Sequence, residues 1–323
     1  MAGSEFRPLF RLTLAGLIAV LVSLSVGSAD LSLGETVSVL TGSGTELNRA
    51  LILELRLPRT LNAFAVGGLL AVAGGLMQVL LRNPLADPYV LGVSGGAAVG
   101  ALLAMLAGVG TALVSGSAFA GALLATLLVF GIAHGSGSWT PSRLLLTGVV
   151  VAAGWGALIT LILSMAPATR LPGMLYWLMG DLSYGAYPAL GLGVLVLACV
   201  LVRPLGRSLN VLARGSLQAS ALGVSVRSLE WCIYLLASLL TAIAVTTAGA
   251  IGFVGLVVPH LLRLMFGNDQ RVILPACAVA GGTLLVLADT LARVVIAPEQ
   301  LPVGVITALL GVPTFLYLLH RSR

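Results

Sequence analysis

The chain has 323 residues, 59% of them hydrophobic and 9% charged, against about 25% charged in a soluble domain, and its mean hydropathy is +1.09; this excludes an ordinary soluble protein. All seventeen basic residues are arginine, and a Walker A loop needs lysine for its phosphates, so the polypeptide is not by itself a P-loop ATPase. The net charge of +6 reads as arginine retained on the cytoplasmic side of a membrane, not as affinity for nucleic acid.

Residues 1–6, MAGSEF, look like a cloning scar and are set aside. A helical span needs about 20 apolar residues, and on that measure ten follow, at 9–29, 60–81, 91–108, 112–134, 144–166, 187–202, 228–248, 250–266, 272–296 and 303–319. The expected fold is therefore all-α: one transmembrane domain, 1–323, with ten helices and both termini cytoplasmic. Twelve arginines then fall inside and five outside, namely Arg49, Arg56, Arg59, Arg170 and Arg293, in keeping with the positive-inside tendency. Gly92, Gly96 and Gly100, and likewise Gly148, Ala152 and Gly156, form small-residue stripes suited to close helix packing.

The stretch 203–227 is the one long internal segment that a bilayer would reject. It carries four arginines, with a short amphipathic helix at its centre, and is expected to be a cytoplasmic loop that docks a partner in water. Two further turns are stiffened by proline on the same side: Arg82 to Pro88, and Trp139 to Arg143. On the other side, Arg56 and Arg59 flank Pro58 and can present two guanidiniums to carboxylates. Asp289 and Arg293, four apart, can pair on one helix face, with the arginine towards outside water.

Chemistry within the spans is sparse. His134, His260 and His320 fall near helix ends, where a cation suits the dipole. Cys199, Cys232 and Cys277 share no metal spacing. There is no nucleophile-and-base motif and no chain of intramembrane carboxylates to relay protons. The expectation is a non-enzymatic transport subunit that binds no cofactor or metal itself, powered from elsewhere; a carrier or channel working without an ATPase is the alternative.

LRLPRT (55–60), RNPLADPYVLGVSGGAAVG (82–100), GAIGFVGLVVPHLLRLMFGNDQR (249–271), LADTLAR (287–293) and LPVGVITALLGVPTF (301–315) strongly resemble the FecCD-type permeases of ABC importers for ferric siderophores, haem and cobalamin. The resemblance implies a subunit of the bacterial inner membrane that pairs with a second copy around one translocation pathway. Two ATPase subunits, which hold the ATP and Mg, would bind below, and a periplasmic substrate-binding protein would dock above. It assigns docking to Arg56, Arg59 and Arg293, and ATPase coupling to Arg214, Gly215, Leu217, Ala219, Ala221, Leu222 and Gly223. Asn83, Leu85, Pro141 and Ser142 would form the cytoplasmic gate, and Thr147, Thr160, Ser164 and Met165 would line the pathway. Haem is favoured as cargo over cobalamin or a siderophore. Two features depart from the family pattern: the segment before Leu222-Gly223-Val224 lacks the usual glutamates, and Pro172 stands where relatives tend to have arginine.

Overall fold

The computed structural model describes residues 3–27, 31–134, 140–183 and 188–321. Met1 and Ala2 of the scar, Trp139 and Arg323 lie outside the described residues, as do the side chains of Arg7, His134 and Arg321. The described residues are mostly helical, with no strand among them. α1 (Gly3–Ser25) is followed by two short helices, α2 (Leu33–Leu40) and α3 (Glu46–Arg49), and by a π-helical turn, Ala50–Arg56, that runs into α4 (Leu57–Leu80). A 3-10 turn, Pro88–Leu91, precedes α5 (Val93–Ala107), α6 (Thr111–His134) and α7 (Pro141–Met165). Then come α8 (Leu171–Met179), α9 (Pro188–Leu212), α10 (Ser216–Ala221), α11 (Val226–Ala248), α12 (Val254–Phe266), α13 (Gln270–Val294) and α14 (Val303–Arg321). Six helical segments are long and apolar enough to cross a membrane, and four shorter apolar helices accompany them among the described residues.

α4 is the axis of the bundle. Of its most apolar window 94% is buried, and α1, α9, α11, α12 and α13 all lie against it. Glycine permits this crowding: a Cβ at Gly67 would overlap the Gly281 carbonyl of α13, and one at Gly74 the Gly255 carbonyl of α12. In a membrane such backbone approach supplies the packing that the hydrophobic effect does not. Pro58, which has no N–H to return to the helix, sits in the first turn of α4, where that N–H would have no partner within α4 in any case. Over its 24 residues α4 spans about 36 Å.

The first glycine stripe packs as expected: Gly96 meets Gly121 and Gly100 meets Ser117 across α5 and α6. The second does so only at Gly148, where the Val90 carbonyl sits against α7; nothing approaches a Cβ at Gly156 within 4 Å. The segment 203–227 also departs from expectation, because α9 continues ten residues past Val202 to Leu212. Val202, Gly206, Leu209 and Leu212 are buried at helical spacing while Arg203 and Arg207 face outward, so one apolar stripe carries the helix through its charged end. The connection proper is then Ala213 to Ser225, with α10 inside it.

Candidate functional site

At the α8 end, Arg59 and Arg293 converge on one carboxylate, with Arg56 beside them. Asp289 of α13 is fully buried. It accepts from Arg59 Nε at 3.0 and 3.1 Å and from Nη2 at 2.9 Å, and Arg293 Nε stands 3.1 Å from its other oxygen. Arg293 Nη2 also donates to the Ser23 carbonyl and hydroxyl at 3.2 and 2.7 Å. Arg56 Nη1 caps the C-terminal end of α1, donating to the carbonyls of Leu24 and Ser25 at 2.8 and 2.9 Å. Arg59 Nη1 reaches Ser183 and Gln300 in the adjoining loops.

These arginines thus point inward and not out to water as expected. Arg56 and Arg293 are 7% and 6% exposed, so the Arg293 end of the Asp289 pair is closed over as well; only the Arg59 side chain, at 15%, keeps an edge in solvent. Burial favours this because an unpaired guanidinium in a dry bundle loses its hydration without return. Among the described residues of this cluster, the guanidiniums of Arg56, Arg59 and Arg293 outnumber the Asp289 carboxylate.

At the opposite end, α10 stands out from the bundle. Leu217 is 86% and Leu222 72% exposed, while Ala219 is fully buried and anchors the helix. Gly215 at φ +139° and Gly223 at φ +79° make the two bends that let it project, conformations that favour glycine. Arg214 and Ala221 are exposed beside the two leucines.

Arg82 joins this helix to the first gate turn: its Nη1 donates to Ser216 Oγ at 3.2 Å. Arg82 itself is held at φ +48°, a left-handed position uncommon for a side-chain-bearing residue. After it, Asn83 Oδ1 accepts from Leu85 N at 2.9 Å, leaving Leu85 partly exposed. Asp87 Oδ1 accepts from Tyr89 N at 2.7 Å and Tyr89 Oη from Ile251 N at 3.0 Å, tying the turn to the approach to α12. Desolvation pushes the Asp87 carboxyl up to about 6. The second gate turn begins α7: Thr140 Oγ1 caps Arg143 N, Pro141 takes the first helical position, and Ser142 is exposed.

α7 is the least enclosed span, with 11% of its window buried. Thr160, Ser164 and Met165 lie on its exposed side and Thr147 is partly covered; the Thr160 and Ser164 hydroxyls are satisfied by the carbonyls of Gly156 and Leu161 at 2.9 and 2.7 Å, as polar groups in an apolar medium must be. This face carries no charged residue between Arg143 and Arg170. α14 adds a second exposed strip through Leu309, Leu316 and Tyr317. Among the described residues no group of three or more His, Cys, Asp or Glu could hold a metal.

A sequence profile of the FecCD transport family matches residues 14–321. The chain belongs to the FecCD transport family. This FecCD chain is 40% identical to the hemin transport system permease protein HmuU of Yersinia pestis over 323 residues, covering 97% of this chain and 96% of that protein. It is 41% identical to the vitamin B12 import system permease protein BtuC of Vibrio vulnificus over 318 residues, covering 97% and 95%. Among solved structures it superposes with a TM-score of 0.87 on an ABC transporter assigned to the metal-chelate type, in an inward-facing conformation, at 31% identity over 98% of this chain and 99% of that one.

Two contacts were not expected from the sequence, that of Asp289 with Arg59 and that of Ser216 with Arg82. Asp289 was legible only as a local partner of Arg293, and its bonds to Arg59 join residues 230 apart in the chain. Ser216 lay within the coupling segment, but nothing in its spacing announced a bond to Arg82.

Proposed function

We propose that this FecCD chain is the permease subunit of an ATP-driven importer that carries a metal chelate, haem above cobalamin or a ferric siderophore, across the bacterial inner membrane. The six long and four shorter apolar helices serve as ten spans with both termini cytoplasmic. Two copies associate along the little-buried α7 and the exposed strip of α14, leaving the pathway between them. The uncharged α7 face suits a large amphiphilic cargo, and the two permease relatives named for hemin and vitamin B12 support a macrocyclic chelate.

The observation that carries the reading is the hydrogen bond that Arg82, at the head of the Asn83–Leu85 turn, donates to Ser216 on α10. Work done on α10 by two separate ATPase subunits, which hold ATP and Mg, reaches the gate through one side chain. The inner and outer mouths then open in alternation. A substrate-binding protein docks at the α8 end, drawn by the Arg56, Arg59 and Arg293 cluster and engaging first the exposed edge of Arg59.

The test is ATP hydrolysis by the purified assembly of two chains and two ATPase subunits. Cognate binding protein loaded with haem should stimulate it, and Arg59→Glu should weaken that stimulation most at low salt, since exposed charges are screened within about 10 Å at 0.1 M. Stimulation equal in wild type and variant at every salt concentration would remove the docking assignment.

A further inference from the structure

A groove of about 960 Å³ runs along α9 and α13, and no residue of α7 or α14 lines it. Its walls are apolar: Leu195, Val196 and Val200 from α9, Ala278 and Val279 from α13, and Phe64 of α4. Its α10 end changes character abruptly, for there Arg203, Arg207 and Arg271 line it together. Arg203 and Arg207 are one helical turn apart on the exposed side of α9, an arrangement of like charges that a helix disfavours unless an anion sits between them. Among the described residues neither forms an ion pair; the nearby acid, Asp269, is engaged by Arg271 and Asn210, which hold its carboxyl well below the usual carboxylate range.

We infer that this groove binds one anionic diacyl phospholipid, its chains along α9 and α13 and its phosphate between Arg203 and Arg207. From Leu195 to Arg207 the groove follows twelve residues of α9, about 18 Å at the rise of an α-helix. That matches one leaflet of a hydrocarbon core about 30 Å thick, with the guanidiniums at headgroup level. Basic pockets between spans have this layout for acidic lipids. A protein helix would have to bring its own acid to the same height, and a free anion would leave the apolar walls unused. Gly206 is part of the construction: a Cβ there would lie 2.6 Å from Arg271 Cγ, so its absence lets the Arg271 stem cross α9 to the groove.

The experiment is native mass spectrometry of the assembly purified with its ATPase subunits and offered phosphatidylglycerol, phosphatidylcholine or inorganic phosphate. The wild type should retain phosphatidylglycerol in preference to phosphatidylcholine. Arg203→Gln with Arg207→Gln should lower that retention roughly thirtyfold, each charge contributing about a factor of five. Val196→Trp, which fills the apolar part and leaves the arginines in place, should lower it too. Arg203→Lys with Arg207→Lys keeps the charge and should keep the lipid. Equal retention of phosphatidylcholine, undiminished phosphatidylglycerol in the glutamine variant, or loss of lipid in the lysine variant would each overturn the inference. So would phosphate binding without lipid, which denotes a free-anion site.

Discussion

Replacing Leu217 and Leu222 together with glutamate should abolish chelate uptake and release the ATPase subunits while leaving the folded chain intact. Both side chains are mostly in water already, so no buried apolar area is lost and thermal stability should match the wild type. On the proposed reading, these two large apolar residues on a helix held out by glycine bends are the hot spots of the ATPase interface, and a hot-spot residue contributes about 2 kcal/mol or more. Each substitution should therefore weaken ATPase association roughly thirtyfold, and the pair by roughly three orders of magnitude if the two are independent. Titration of labelled ATPase subunits against the detergent-solubilised chain checks this. Unchanged affinity with normal uptake would mean that the leucines do not couple.

Asp289→Ala should be the most damaging single change at the opposite end. The fully buried carboxylate is the shared acceptor of Arg59 and Arg293, and truncation strands Arg293, which water barely reaches. Removing one partner of a buried ion pair costs about 3–5 kcal/mol, enough to lower the melting temperature in detergent by several degrees. Asp289→Asn keeps the volume and part of the hydrogen bonding and should fall between the variant and wild type. Arg59→Gln should cost less than Asp289→Ala, because Arg293 then keeps its counter-charge. A melting temperature for Asp289→Ala equal to the wild type would show that the cluster adds nothing to stability.

The spans were legible because lipid imposes one constraint on all of them, a long run of apolar residues. The reading at 272–296 corresponds to Gln270–Val294, and that at 60–81 to Leu57–Leu80. Legibility failed where a helix changed surroundings. Arg203, Pro204 and Arg207 looked like the end of a span, although Val202, Gly206, Leu209 and Leu212 preserve the helical stripe through Leu212. α8 was passed over because nine residues are too few to span.

The sites divide in the same way. α10 with its exposed leucines could be read from local pattern, since projection depends on nearby glycines. The inward turn of the arginines could not: Arg59 reaches Asp289, and Arg56 and Arg293 reach the C-terminal end of α1, all far away in sequence, and only the Asp289–Arg293 pair is local. Gly156 shows the complementary limit, for a small residue signals close packing only when another backbone arrives to use the space.

The central claim is that this chain supplies the pathway and the handles for it, and that the driving force comes from the subunits docked on α10. Uptake of haem into proteoliposomes, with binding protein outside and ATP sealed inside, tests it most directly. Vesicles holding the chain with both ATPase subunits should accumulate haem against its gradient, and vesicles holding the chain alone should not. Sustained accumulation by the chain alone would contradict the account.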